Sequence, residues 1–228
     1  MKLSKKTLEI LTSFTTINKS IWIESGNVIK TKPELGNSPT CIATVEEDFT
    51  VDFGIYELQK LLQLIKLFDD PEIEFYEAHL AISDSSGKRA TFRYDSEEHI
   101  SHPNYAKSFK LPSTEIETKV SSGDIKTIVK SAKALGKPNI TFRGDGNDLF
   151  LTTYDIKLTK KAQKKQDEFT IKIGETDRIF NMIFDINDLL LISGDYNVSL
   201  CFKGLAKFES ENVTYFVSPE GKSTYDEE

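Results

Sequence analysis

Lysines at helical spacing are the residues of this sequence best suited to binding a charged ligand. Lys126, Lys130 and Lys133 are four and three residues apart, so a helix would place them on one stripe that Lys137 continues. Residues 119–137 hold five lysines and one acid, a local charge of +4 in a chain of net charge −7. A solvated surface helix is one interpretation of this stripe. The recurrence of basic helices elsewhere in the chain favours a binding role.

A helix over residues 121–137 is predicted to position the stripe. Ser121 or Ser122 is suited to cap its start, Asp124 lies in its first turn, and Gly136 with Pro138 ends it. Apolar residues recur at helical spacing on its other side, which predicts a face packed against a sheet. These residues are Ile125, Ile128, Val129, Ala132 and Leu135.

Two further amphipathic helices are predicted over residues 4–16 and 55–68. The first has Leu8, Leu11 and Phe14 on its apolar side, with Ser4 as a cap. The second turns four apolar residues inward and Lys60, Gln63 and Lys66 outward; the inward four are Leu58, Leu61, Leu62 and Ile65. Segments 1–19, 55–68 and 119–137 together carry +8, which leaves −15 for the rest of the chain. An acidic protein can therefore carry a separate basic face.

The order of the predicted elements repeats along the chain. Helix, hairpin, strands, a second helix and three strands appear twice, with hairpins at Ser25-Gly26 and at residues 144–147 and a short fourth helix at 186–191. This order predicts an α+β fold of two similar domains, each an antiparallel sheet with two helices on one face. We place the domains at residues 1–107 and 108–228, with residues 95–112 as the connector.

Enzymatic chemistry finds little support in the sequence. His99 and His102 with Asp95 are the candidate ligands for a metal-dependent enzyme. However, these residues lie in an irregular segment, and their spacing matches no rigid metal site. Phosphate-binding loops, serine-nucleophile elbows and Cys-x-x-Cys pairs are not found. We expect no cofactor and no catalytic residue. The acidic pairs at residues 46–47 and 69–70 are interpreted as solvated turns.

Composition and hydropathy bound the remaining possibilities. Cys41 and Cys201 lie in strand-like segments, which predicts reduced, small core residues in an intracellular protein. No secretory signal is recognisable, and the longest apolar run is too short to cross a membrane. A basic loop is expected at residues 155–166, either solvated or in contact with phosphates. Its lysines are Lys157, Lys160, Lys161, Lys164 and Lys165.

The chain resembles a known family, the sliding clamps of T-even-type bacteriophages, which are DNA polymerase processivity factors. The matching segments span nearly the whole chain and keep their order. They are Met1-Lys2-Leu3-Ser4-Lys5, Thr16-Ile17-Asn18, Ser25-Gly26, Ile55-Tyr56-Glu57-Leu58, Asp69-Asp70, Thr114-Glu115-Ile116, Gly194-Asp195-Tyr196, Ala206-Lys207-Phe208-Glu209 and Ser223-Thr224-Tyr225-Asp226.

The resemblance implies a homotrimeric ring of clamp-fold subunits around double-stranded DNA, held without sequence preference, in the cytoplasm of an infected bacterium. It implies that the helices line the hole. The DNA-facing residues would be Lys5, Lys60, Lys66, Lys126, Lys130, Lys133 and Lys137. Residues 89–94 and part of the second domain would form the seam between subunits. A DNA-binding domain that grips its site directly is the alternative within the same class of ligand.

The resemblance also implies protein partners. These are the replicative DNA polymerase, an ATP-driven clamp loader and the late-transcription machinery, with no membrane involved. In such clamps, short C-terminal peptides of partners insert apolar side chains beneath the connector. The residues of this chain best placed for such a pocket are Ile100, Pro103, Tyr105, Phe109, Leu111, Tyr215, Val217 and Pro219.

Overall fold

The computed structural model describes residues 1–103, 110–158, 167–191 and 194–225, and the chain divides into two units. The first unit is Met1–Lys107 with Asn212–Thr214, and the second is Ser108–Glu211 with Tyr215–Glu228. The helices are α1 (Lys5–Phe14), α2 (Leu58–Ile65), α3 (Ser122–Ala134) and a 3-10 turn (Glu97–His99). The strands are β1 (Ile21–Ile23), β2 (Gly26–Thr31), β3 (Thr40–Phe49), β4 (Phe53–Ile55), β5 (Glu72–Phe75), β6 (His79–Ser83), β7 (Arg89–Arg93), β8 (Ile116–Val120), β9 (Asn139–Asp145), β10 (Asp148–Tyr154), β11 (Thr170–Glu175), β12 (Ile179–Asp185), β13 (Tyr196–Cys201), β14 (Leu205–Glu209) and β15 (Val213–Val217).

In the first unit, α1 packs against β3 and α2. The strands pair antiparallel as β1 with β4, β2 with β3, and in the order β5-β6-β7. The hairpin predicted at Ser25-Gly26 is therefore wrong in its pairing, because the ladder partner of β1 is β4. The core beneath the two helices is apolar and includes Leu11, Phe49, Phe53, Leu58, Leu62, Ile73 and Leu80.

In the second unit, α3 packs on β9, β10 and β11. These strands belong to a sheet of order β11-β10-β9-β12, and β15-β14-β13-β8 follow one another in a second ladder. The α+β fold with antiparallel sheets is confirmed. The predicted fourth helix is wrong, since Ile186–Leu189 form turns in which Asp188 N–H bonds the Asp185 carbonyl at 3.2 Å.

A short C-terminal segment completes the edge of β12. The N–H and carbonyl of Asn181 bond the carbonyl and N–H of Thr224 at 2.8 and 3.0 Å. One residue pair further, the Ile183 carbonyl accepts from the Glu220 N–H at 2.7 Å, and the Ile183 N–H donates to the Ser223 hydroxyl. The backbone groups on this edge are therefore satisfied by residues far along the chain.

Cys41 and Cys201 are both fully buried, which confirms them as small core residues. Within the described part of the chain, no helix has the length and apolarity that a membrane span requires.

Candidate nucleic-acid interface

Helix α3 is fixed at both ends by local backbone chemistry. The Ser121 hydroxyl accepts a hydrogen bond from the Asp124 N–H at 3.1 Å, which caps the start. At the other end Gly136 adopts φ +62°, a left-handed conformation that favours glycine. This conformation lets the Lys137 N–H reach the Ala132 carbonyl at 2.8 Å and the Gly136 N–H reach that of Lys133. The helix therefore begins and ends where the sequence predicts.

The lysine stripe of α3 lies opposite the buried face. Ile128 and Ala132 are at most 1% exposed and point into the core, whereas Lys126, Lys130 and Lys133 are exposed. No carboxylate among the described residues lies within 4 Å of these three ammonium groups. Like charges one turn apart destabilise a helix by about 0.2–0.5 kcal/mol per pair. This cost is small, and the arrangement leaves three charges available for an external anion.

The first unit presents a smaller basic surface. Lys5 at the start of α1, Lys60 on α2 and Lys66 at its C-terminal cap are exposed, as predicted from their spacing. Lys60 is in an ion pair with Glu57 at 2.6 Å, so part of its charge is already compensated. The basic surface of this unit is therefore weaker than that of α3.

A buried carboxylate holds the start of α1. Glu47, on β3, is 8% exposed and accepts hydrogen bonds from the Ser4 N–H and the Thr7 hydroxyl. The Ser4 hydroxyl in turn accepts from the Thr7 N–H at 3.1 Å. The interpretation of the acidic pair Glu46-Glu47 as a solvated turn is wrong, because it lies within β3 and alternates exposed and buried. A negative charge at a helix N-terminus is favourable, so Glu47 also stabilises the first turn of α1, in which Lys5 lies.

The C-terminal end of α2 is tied to the β6–β7 hairpin. Asp84 accepts hydrogen bonds from the Ser86 hydroxyl at 2.6 Å, from the backbone N–H groups of Ser86 and Lys88, and from the Asp69 N–H just past the helix. The Ser86 hydroxyl, together with these N–H groups, lowers the pKa of Asp84 to about 2. The segment that carries Lys66 is thereby fixed to the sheet.

The predicted partner-pocket residues fall in both units. In the first, Ile100 is 5% exposed and Pro103 is buried. In the second, Leu111 and Pro219 are half-buried, whereas Tyr215 and Val217 are at most 1% exposed core residues. Tyr105 and Phe109 lie outside the described residues, as do residues 159–166 of the lysine-rich loop. The structure places Tyr215 against Tyr196, with ring centroids 6.2 Å apart.

The segment that leads into the connector is closely packed against β4. Asp95 N–H bonds the Gly54 carbonyl at 2.9 Å. A Cβ on Gly54 would lie 2.5 Å from Ile100 Cδ1 and 2.6 Å from the Asp95 carbonyl oxygen, so only glycine fits there. We call residues 95–103 the connector root. The sequence predicts the position of this segment but carries no signal for its packing partner.

The two histidines of the connector root each face a carboxylate. His99 Nδ1 lies 2.6 Å from Asp95, and His102 Nε2 lies 3.1 Å from Glu97. The hydrogen bond with Asp95 raises the pKa of His99. No group of three or more His, Cys, Asp or Glu side chains suited to a metal ion occurs in residues 1–103, 110–158, 167–191 or 194–225. The geometry is that of two separate side-chain pairs.

Two edge strands carry charges of opposite sign. β7 is the last strand of β5-β6-β7 and exposes Arg89 and Arg93. β11 is the last strand of its sheet, and its surroundings expose Asp167, Glu168 and Glu175. Each strand also has half-buried apolar side chains on alternate positions, namely Phe92 on β7 and Ile171 and Ile173 on β11. Edge strands of this kind are suited to main-chain pairing with another chain.

Comparison with known proteins identifies relatives over the full length. The family model described as "gp45 sliding clamp, C terminal" matches residues 117–221. The sliding clamp of Vibrio phage KVP40 is 28% identical over 226 residues, covering 96% of this chain and 99% of that protein. The sliding clamp of Enterobacteria phage T4 is 27% identical over 233 residues, covering 99% and 100%. These matches confirm the resemblance to phage sliding clamps.

Solved structures share the fold at lower identity. The PCNA of A. fulgidus, in a structure described as bound to the C-terminal region of FEN-1, has a TM-score of 0.69 at 12% identity, with 96% of each chain covered. The DNA polymerase III subunit beta of Pseudomonas aeruginosa has a TM-score of 0.63 at 12% identity, with 94% of this chain and 62% of that chain covered. These likenesses establish the fold.

Proposed function

We propose that this chain, which is similar to the phage sliding clamps, a family of non-enzymatic processivity factors, acts as one of them, and that three copies close into a ring around duplex DNA and tether the replicative polymerase. In this proposal residues 1–107 and 108–228 are two clamp domains, so that a trimer contains six. The protein acts in the cytoplasm of an infected bacterium.

The observation that carries the DNA-binding part of the proposal is the unpaired lysine face of α3. Lys126, Lys130 and Lys133 are exposed, and no described carboxylate neutralises them. Lysine is a compact charge on a flexible stem, so it makes phosphate contacts that exchange easily and read no sequence. A few such contacts favour sliding over gripping. Lys5, Lys60 and Lys66 of the first unit and Lys137 of the second are proposed to face DNA as well.

We propose that the ring closes by pairing of the edge strands β7 and β11 of neighbouring copies. The exposed arginines Arg89 and Arg93 on one copy would meet the acidic residues around β11 of the next, and Phe92 would be covered. A head-to-tail contact between two different surfaces generates a closed ring when the rotation between copies is right. Opposite charge across the seam favours this pairing over pairing of like strands.

Partner binding is proposed to centre on the connector. Its candidate residues are Ile100, Pro103, Tyr105, Phe109, Leu111, Tyr215, Val217 and Pro219. The expected partners are the C-terminal peptide of the replicative polymerase, a clamp loader and late-transcription factors. Apolar side chains of a short peptide need a preformed cleft, and a fixed connector root provides a rigid wall for one.

The mass in solution, the retention on DNA and a lysine variant test the proposal. The mass in solution should be three times the 25.8 kDa of one chain. After loading, the wild-type protein should remain on closed circular duplexes and leave linear ones by sliding off their ends. Lys126→Glu with Lys130→Glu should reduce loading or processivity while the circular dichroism and melting temperature stay near those of the wild type. Equal retention on linear and circular DNA would instead identify a domain that grips its site directly.

A further inference from the structure

Asn18 is the centre of a buried hydrogen-bond cluster in the first unit. It lies just after α1 and is 4% exposed. Its side-chain amide nitrogen donates to the Lys32 carbonyl at 2.9 Å and to the Ser101 carbonyl at 3.0 Å. Its amide oxygen accepts from the N–H and the hydroxyl of Ser20, both at 3.0 Å. Both donors and both lone pairs of this side chain are therefore used.

These bonds join the segment of Asn18 and Ser20, which precedes β1, to two other parts of the chain. Lys32 begins the loop between β2 and β3, and Ser101 belongs to the connector root, 83 residues from Asn18. The Ser101 hydroxyl adds a bond to the Pro33 carbonyl at 3.4 Å, so the same loop is linked to the root once directly and once through Asn18. The root is thus held both by Asn18 and by the hydrogen bond from the Asp95 N–H to the Gly54 carbonyl.

Only an uncharged amide fits this position. Two backbone carbonyls need donors, and the Ser20 groups need an acceptor, so the side chain must supply both at fixed separation. An aspartate keeps the acceptor for Ser20 but turns an oxygen toward the two carbonyls. A buried carbonyl without a donor costs free energy comparable to that of one hydrogen bond. The side chain at residue 18 therefore contributes directly to holding the connector root.

We propose that Asn18 is a positioning residue for partner binding, which sets the connector root so that a partner peptide meets a preformed surface. This inference rests on the proposed function, since it assigns a purpose to the ordering of the root. Ordering in advance removes an entropic cost from the binding step. Asn18 does not touch the partner in this proposal, and it acts through Ser101.

The test compares Asn18→Asp with the wild-type chain in two measurements. Hydrogen exchange of the backbone amides of residues 95–101 reports the root directly, because the Asp95 N–H is bonded to Gly54. The dissociation constant of a synthetic peptide, with the C-terminal sequence of the same phage's replicative polymerase, reports partner binding. We expect faster exchange in the root and about tenfold weaker peptide binding, because two buried hydrogen bonds are removed. Retention on loaded circular DNA should not change.

Matched variants separate positioning from general damage. Asn139→Asp makes the same change at a buried asparagine of the second unit, 2% exposed, whose amide bonds Phe184 and Ile156. It should leave root exchange and peptide binding near wild type. Ser20→Ala removes one hydroxyl bond to Asn18 and keeps both donors to the carbonyls. If Asn18→Asp fails to fold, Asn18→Ala repeats both measurements without a buried charge.

The outcomes are distinguishable. Unchanged exchange at residues 95–101 in both Asn18 variants would overturn the positioning role, as would a freed root with unchanged peptide affinity. A wild-type chain that stays on circular DNA but binds no such peptide would overturn the docking role. Failure of the wild type to stay on circular DNA would instead overturn the sliding-clamp proposal, and the exchange data would still decide whether Asn18 holds the root.

Discussion

Lys126 and Lys130 lie one helical turn apart on the exposed face of α3, and no carboxylate in the described parts of the chain is within 4 Å of either ammonium group. Lys133 continues the stripe three residues on. A helix arranged in this way is less stable than one with acids between its lysines. Stability and DNA binding should therefore respond in opposite directions to one substitution.

Lys130→Glu places an acid one turn from Lys126 and three residues before Lys133. Two repulsive pairs become attractive, so we expect the free energy of unfolding to rise by about 0.5 kcal/mol. DNA association should weaken, and the slope of log K against log salt should fall by about 0.9 for each phosphate that the protein no longer neutralises. Urea titration and retention on circular DNA at several NaCl concentrations measure the two effects.

The control for this substitution is Lys203→Glu, which makes the same charge change in the turn between β13 and β14. It should leave DNA retention near wild type. Equal weakening by Lys203→Glu and Lys130→Glu would show that overall charge, and not the α3 stripe, governs the interaction.

The seam proposed between β7 and β11 predicts a charge swap. Arg89→Glu with Arg93→Glu should shift the trimer toward monomers, because like charges then meet across the seam. Asp167→Lys with Glu168→Lys should do the same from the other side. All four changes together should restore the trimer, as measured by sedimentation velocity at low salt.

Glu72→Lys on β5, at the opposite side of the β5-β6-β7 sheet, is the matched control and should leave the assembly intact. A swapped variant that stays monomeric while each half-variant is folded would place the seam elsewhere.

The Asp84 carboxylate predicts a pH dependence of stability. Its folded pKa of about 2 lies below the ordinary value of 3.8. A lowered folded pKa means that its stabilising effect is complete above the unfolded pKa and is lost as the pH falls through about 2. Asp84→Asn should therefore melt at a lower temperature than wild type at pH 7, and the difference should shrink below pH 4.

Asp48→Asn, at an exposed position of β3, should not alter the melting temperature at either pH. A difference between Asp84→Asn and wild type that persists unchanged to pH 2 would contradict the assignment of the effect to the ionised carboxylate.

Gly54→Ala should displace the connector root. The new Cβ would lie 2.5 Å from Ile100 Cδ1, 2.6 Å from the Asp95 carbonyl and 3.1 Å from the ring of Trp22. Overpacking of this kind costs about 1–3 kcal/mol. The chain has one tryptophan, so a change in its fluorescence together with a lower melting temperature measures the displacement.

Gly123→Ala, in the first turn of α3, is the contrasting variant. Its Cβ would meet only the Ser121 hydroxyl, at 3.5 Å. We expect it to stabilise the protein by about 0.5 kcal/mol, since alanine loses less backbone freedom than glycine. Equal destabilisation by both variants would show that added volume at Gly54 is not the cause.

Much of the fold follows from local signals in the sequence. The limits of α3 follow from Ser121 and Gly136, because capping groups act within one turn. The inward face of α2 is also confirmed, with Leu58, Leu61 and Leu62 at most 6% exposed. The inward face of α1 is only partly as predicted. Ile10 is buried and Leu8 only half-buried, because Thr7, held by Glu47, defines the inner side.

Features that depend on long-range contacts could not be predicted. Glu47 is buried because Ser4, 43 residues away, supplies a donor, and no local pattern indicates that. The predicted fourth helix is wrong because the Asp188 and Leu190 N–H groups bond carbonyls three residues back, at 3.2 and 3.4 Å, so the segment turns without a continuing α-helical ladder. The Asp185 carboxylate accepts from the Asn187 N–H at 2.8 Å, as it would at the start of a helix, which is the signal that the sequence offers. The candidate DNA-facing lysines and partner-pocket residues remain predictions, and the variants above test Lys126 and Lys130 among them.

The discontinuous first unit has a consequence for synthesis of the protein. Residues 212–214 belong to it, and the Asn212 carbonyl accepts a bond from the Thr44 N–H at 2.9 Å. In the second unit, the edge of β12 is completed only by Thr224. A ribosome translating this chain has therefore added nearly all of its residues before these two contacts can form, and a fragment ending at residue 107 lacks the segment that bonds Thr44.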